Sequence, residues 1–144
     1  MGRIIHTQSP AQIRNYHRRT IAELLRHLSQ KPQVDEETKD MAALLVYSLR
    51  EIGQVNERAA QAWERRDYWL KADRFRREWA WVGQMAEDLE DVLRHQAWDL
   101  LPRLLMDLLP RFADIKVTRL TRSPELWRGA YERLVNGSTE PPHE

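Results

Sequence analysis

The chain has 144 residues, enough to bury one hydrophobic core without disulfide or metal staples, so a single helical domain over residues 1–137 with a disordered tail at 138–144 is expected. Cysteine is absent, which excludes zinc ribbons, redox pairs and thiol nucleophiles. A formal net charge of +1 on 31% charged residues excludes a global electrostatic pull toward nucleic acid or membrane, so any such affinity has to be local.

The first residues, Met1-Gly2-Arg3-Ile4-Ile5-His6, contain no apolar signal region, and His6 stands where a myristoylation signal requires Ser or Thr. The longest uncharged apolar run, Met41 to Leu49, falls far short of the roughly 20 residues that a membrane span needs. A cytoplasmic protein without membrane contact is expected. Ser9-Pro10-Ala11-Gln12 reads as a helix start, with Ser9 at the N-cap, Pro10 in the first turn and Gln12 completing a capping box. Ile13, Tyr16, Ile21, Leu24, Leu25 and Leu28 then recur at helical spacing until Lys31-Pro32 ends the first helix.

Asp35 offers the next N-cap, and Glu36, Glu37 and Asp40 place negative charge in the first turn, where the helix dipole favours it. The stripe Met41, Leu45, Ser48, Ile52, Val55, Ala59, Ala62 follows in strict alternation of four and three. No glycine or proline interrupts the chain between Gly53 and Gly83, so periodicity alone allows one helix of roughly 60 residues. A domain of this size requires the chain to turn back, and Asp67 is the residue suited to cap a third helix there. That helix carries Tyr68, Ala72, Phe75, Trp79, Val82, Ala86, Leu89 and Leu93 as a heptad seam. The predicted centre is therefore a long antiparallel helical hairpin from about Asp35 to His95.

Beyond His95, Asp99-Leu100-Leu101-Pro102-Arg103-Leu104-Leu105-Met106 is nearly repeated by Asp107-Leu108-Leu109-Pro110-Arg111-Phe112-Ala113-Asp114. Each Asp suits an N-cap with proline in the following turn, which predicts two short helices or one kinked helix. Ser123-Pro124-Glu125 opens a last short helix with Leu126, Trp127, Ala130, Tyr131 and Leu134, closed by Asn136-Gly137. The fold class is thus all-α: a helical bundle built on the hairpin, with an N-terminal helix and two or three short C-terminal helices.

Folding at Asp67 is expected to bring Glu36, Glu37 and Asp40 beside Glu87, Asp88, Glu90 and Asp91 as an acidic pole. Glu37/Asp40 and Glu87/Glu90 have the i, i+3 spacing that puts two carboxylates on one helix face, and facing pairs of this kind hold Mg²⁺. In this respect the chain resembles the all-α nucleotide pyrophosphohydrolases, and the resemblance implies Mg-dependent hydrolysis. The order of the pairs is inverted relative to that family's pattern, however, and capping already accounts for Glu36 to Asp40. No metal site is therefore nominated, and the acids are read as solvated and partly neutralised by Arg26, Lys31 and Lys39. The five histidines lack zinc or di-iron spacing except Glu140 to His143 in the tail, and P-loops, nucleophile elbows and dinucleotide loops are absent. No catalytic residue and no cofactor is nominated.

At the other end Arg65, Arg66, Lys71, Arg74, Arg76 and Arg77 gather among Trp63, Tyr68 and Trp69. Basic residues interleaved with aromatics track phosphates and stack bases, so Arg65, Arg66, Arg74, Arg76 and Arg77 form a candidate anion-binding patch. The structural alternative is intrahelical pairing, Asp73 with Arg77 and Arg74 with Glu78. Arg14, Arg18 and Arg19 on the first helix are expected to face the acidic second helix, Arg14 near Glu51. On the third helix, Leu70, Trp81, Met85 and Val92 occupy an arc roughly 100° from the heptad seam, a surplus of apolar face for a two-helix contact. Either C-terminal helices cover that arc or it is a subunit interface. Two functional classes follow: a non-enzymatic interaction or assembly protein, self-associating through this arc or the C-terminal repeat, and a small helical nucleic-acid-binding subunit.

Overall fold

The computed structural model describes residues 8–137, and its regular elements are all helical. Helix α1 (Pro10–Leu28) begins as its sequence dictates: the Ser9 hydroxyl accepts from the Gln12 amide, and the Gln12 side chain accepts from the Ser9 amide at 2.8 Å. It ends at Leu28, a turn before Lys31-Pro32. Helix α2 (Glu36–Arg65) starts on Asp35, whose carboxylate accepts from the Thr38 amide at 2.8 Å.

Within the hairpin, α2 is the centre of the molecule. It packs against α1 and against everything that returns from the turn, and no residue from Met41 to Leu49 is more than 6% exposed. An uncharged run that is apolar on every face requires neighbours on every side. The chain returns antiparallel along α2 as α3 (Trp69–Glu78), which meets the C-terminal part of α2 at Glu57, Trp63 and Glu64, and α4 (Ala80–Arg94). The predicted third helix is thus two helices, broken at Trp79, whose backbone leaves the helical region at ψ 10°. Ala72, Val82, Ala86, Leu89 and Leu93 of the heptad seam are buried, whereas Tyr68 stands half in solvent.

Asp67 does turn the chain, but not as an N-cap. It adopts a left-handed conformation with φ 65°, the Asp67 amide donates to the Glu64 carbonyl, and the Tyr68 amide donates to the Trp63 carbonyl. This is a Schellman end for α2, with aspartate where glycine is usual. Gln96 ends α4 in the same way, at φ 55°, with the Ala97 amide donating to the Val92 carbonyl. A side chain in this conformation is strained and glycine is not. Gln96→Gly is therefore expected to raise the melting temperature by about 2–5 °C, equivalent to about 0.5–1 kcal/mol, in a calorimetric scan. An unchanged or lower value would count against the strain.

After α4 the chain makes a 3₁₀ turn (Trp98–Leu100), then helix α5 (Leu101–Leu108), which runs on as a 3₁₀ segment (Leu109–Phe112). The near-repeat is therefore one kinked helix, and neither Asp99 nor Asp107 caps it. The last predicted helix is interrupted: a 3₁₀ turn (Pro124–Leu126) precedes helix α6 (Ala130–Val135), with Gly129 between them at φ 78°. The cap of α6 comes from α2, where the Asp40 carboxylate accepts from the Gly129 amide at 3.1 Å and from the Tyr131 amide at 2.9 Å. No helix among the described residues is long and apolar enough to cross a membrane. The expectations for residues 1–7 and for the tail at 138–144 lie outside the described residues.

Candidate interaction surfaces

The acidic pole does not form. α4 returns along α2 in a register that sets Glu90 beside Arg50, with which it pairs, as it does with Arg94. Asp40 is occupied by α6, while Glu37 pairs with Lys31 at 3.1 Å and lies 3.6 Å from His27. The two carboxylate pairs needed for Mg²⁺ are therefore held apart, and no cluster of three or more His, Asp or Glu side chains suited to a metal exists among the described residues.

The arginines of α1 serve other partners than those predicted. Arg14 donates to Asn56 at 2.7 Å, one turn beyond Glu51, with its guanidinium over the rings of Phe75 and Trp79. Arg18 binds both oxygens of Asp114, at 3.1 and 2.7 Å, and Arg19 donates to the Lys116 carbonyl. These contacts fasten the irregular segment 113–123 along α1. Its central fastening is Glu23, whose side chain is fully buried and accepts four hydrogen bonds, from the Thr121 amide, the Thr121 hydroxyl, the Arg122 amide and Arg19, between 2.6 and 3.1 Å. Burial alone would raise the Glu23 pKa, but the four donors outweigh it and lower it to about 2. On the same face His17 is lowered to about 4, first by burial and then by the nearby Arg122 charge.

Leu70, Trp81, Met85 and Val92 are not brought onto one surface, because the break at Trp79 puts Leu70 on α3 and the other three on α4. Val92 is buried at 6% exposure, and Met85 is half-buried against the core. Trp81 lies edge-on to Phe112 at 5.9 Å, with the Arg111 guanidinium 4.6 Å above its ring. The chain's own segment after α5 covers this arc, and only Leu70, at 78% exposure, stands free.

The candidate anion-binding patch is divided as well. Arg76 is held by Glu57 and Glu64 across the helical pair, and Arg77 by Asp73 at 2.7 Å. The alternative pair of Arg74 with Glu78 is not made, and the side chains of Arg65, Arg66 and Arg74 have no ion pair or hydrogen bond among the described residues. They flank the exposed trio Tyr68, Trp69 and Leu70 in sequence, and Lys71 sits 4.5 Å over the Trp63 ring.

A second apolar surface lies at the opposite end of α1. Leu28, Val34, Leu101, Leu105, Met106 and Leu109 line a groove of about 330 Å³ between the α1–α2 connection and α5. Leu109 also walls a neighbouring groove of about 500 Å³ toward Phe112 and Ile115. Val34, Met106 and Leu109 are 39%, 65% and 43% exposed. Met106 and Leu109 belong to the near-repeat already suspected as a contact surface. Val34, a lone apolar residue in a connection, carries no periodic signal that could have marked it. Comparison with known protein families, with curated proteins and with solved structures finds no match for this chain.

Proposed function

We infer that this protein is a non-enzymatic helical assembly protein that self-associates through the α5 face. The observation that carries the reading is the groove beside α5, an open apolar surface whose only titratable lining residue is Lys31. Met106 and Leu109, the most exposed large apolar residues of the groove's lining, project from its α5 wall, so each copy of a two-fold contact would offer both a knob and a hole. Charge supports the same occupant. Arg103 and Asp107, one helical turn apart on α5 and both exposed, lie 3.7 Å apart, and an antiparallel α5–α5 contact centred near Leu105 sets each against its opposite in the second copy.

Size-exclusion chromatography with light scattering is expected to give a dimer for the natural chain and a monomer for Met106→Glu, with helical content unchanged because Met106 points to solvent. A charge placed on each side of a closed apolar contact costs several kcal/mol, enough to shift the dissociation constant at least a hundredfold. A natural chain that is monomeric at high micromolar concentration would overturn the reading.

A further inference from the structure

We propose that the tip of the α2–α3 turn is a docking site for lipid surfaces with anionic headgroups, with Trp69 and Leu70 entering the headgroup layer and Arg65, Arg66 and Arg74 meeting the phosphates. Three consecutive residues at this end of the helical pair, Tyr68, Trp69 and Leu70, are 53%, 59% and 78% exposed. Leu70 is the most exposed large apolar side chain among the described residues. Nothing in the core explains it, since α3 buries only Ala72 completely.

The surrounding charge specifies the partner. The side chains of Arg65, Arg66 and Arg74 are without partners among the described residues, and Arg74 follows Leu70 by one helical turn, on the same face. Asp73 is neutralised by Arg77, and Glu57 and Glu64 share Arg76, so Arg65, Arg66, Lys71 and Arg74 stand against Asp67 and one excess carboxylate charge, a local positive surplus. Indole and phenol rings at the polar boundary, an aliphatic side chain beyond them and long cationic side chains reaching the phosphates are the elements of an interfacial anchor. The near-zero net charge of the whole chain does not oppose this, because headgroup attraction acts within about a Debye length of the surface.

Nucleic acid shares the phosphate chemistry but fits less well. The most exposed apolar side chain, Leu70, has no π-face for a base to stack on, and Arg76 and Arg77, which would extend the patch along α3, are committed to Glu57, Glu64 and Asp73. The apolar residues are also consecutive at one tip instead of being distributed along a groove.

Co-sedimentation with phosphatidylcholine vesicles, with and without phosphatidylglycerol, tests the proposal, alongside anisotropy of a labelled single-stranded DNA. Retention on the anionic vesicles alone is expected. It should fall about tenfold in Trp69→Ser/Leu70→Ser, through lost apolar insertion, and by roughly tenfold or more in Arg65→Gln/Arg66→Gln. All four residues are exposed, so melting curves should match the natural chain, and Met106→Glu should bind vesicles normally, which separates this site from the self-association surface. Absence of retention on anionic vesicles overturns the proposal, as does undiminished retention of the double-serine variant. DNA binding through the same arginines without vesicle binding reassigns the tip to nucleic acid and equally overturns it.

Discussion

Glu23→Gln is expected to lower the melting temperature at neutral pH by roughly 6–15 °C, corresponding to about 2–3 kcal/mol. The glutamine keeps the shape of the side chain but replaces one acceptor oxygen with an amide that faces the donors Thr121 and Arg19, and it removes the charge that strengthens all four bonds. The loss is local as well as global. Exchange of the Thr121 and Arg122 amides should accelerate out of proportion to the rest, because those two amides have Glu23 as their acceptor.

The pH dependence of the same variant has a defined sign. The folded-state pKa of Glu23 lies near 2, below its ordinary 4.5, so its stabilisation is fully present above about pH 4.5 and is lost as pH falls through that window toward 2. Glu23→Gln removes this part of the slope, and the two stability curves should converge in acid. Asp35, Glu57, Glu64 and Asp114 are also shifted downward by their partners, so a residual acid slope should persist in the variant. His17 adds an earlier limb: being lowered from 6.5 to about 4, it binds its proton more readily in the unfolded chain, and stability should begin to decline below about pH 6.5. Denaturant titrations across this range would show parallel curves, instead of converging ones, if Glu23 were not the acceptor described.

Asp40→Ala is expected to cost about 2–3 kcal/mol, a shift of the melting temperature comparable to that of Glu23→Gln. Helix α6 has six residues, far too few to persist alone, and its N-terminal amides at Gly129 and Tyr131 depend on the Asp40 carboxylate. Trp127, Ala130 and Leu134, all buried, hold α6 against the core, so the variant should lose α6 protection before global unfolding. Asp40→Asn keeps one acceptor and should fall between the two. Equal amide protection of Tyr131 in Asp40→Ala and the natural chain would show that packing alone positions α6.

Much of the architecture is written in local pattern. The capping box at Ser9, the Asp35 cap and the seam of Val82, Ala86, Leu89 and Leu93 all follow from interactions within a few residues. The break at Trp79 and the helix ends at Asp67 and Gln96 were less legible, because neither glycine nor proline marks them and tertiary packing holds non-glycine residues in left-handed conformations. The surplus apolar arc was legible as a surplus but not as to its cover, since the contact between Trp81 and Phe112 spans 31 positions of sequence.

By itself, the sequence determined the all-α class, the starts of α1 and α2 and the inward sides of α2 and α4, because these depend on capping chemistry and on a period of 3.6 residues, both local. Only the tertiary structure decided which charges meet. It separated Glu37 and Asp40 from Glu87 and Glu90, gave Asp40 to α6 and Glu23 to the segment at 113–123, and left Arg65, Arg66 and Arg74 free beside Leu70 while occupying Arg76 and Arg77. Pairings across tens of residues depend on where the chain turns and in which register it returns, and a shift of one helical turn exchanges every partner along the helix.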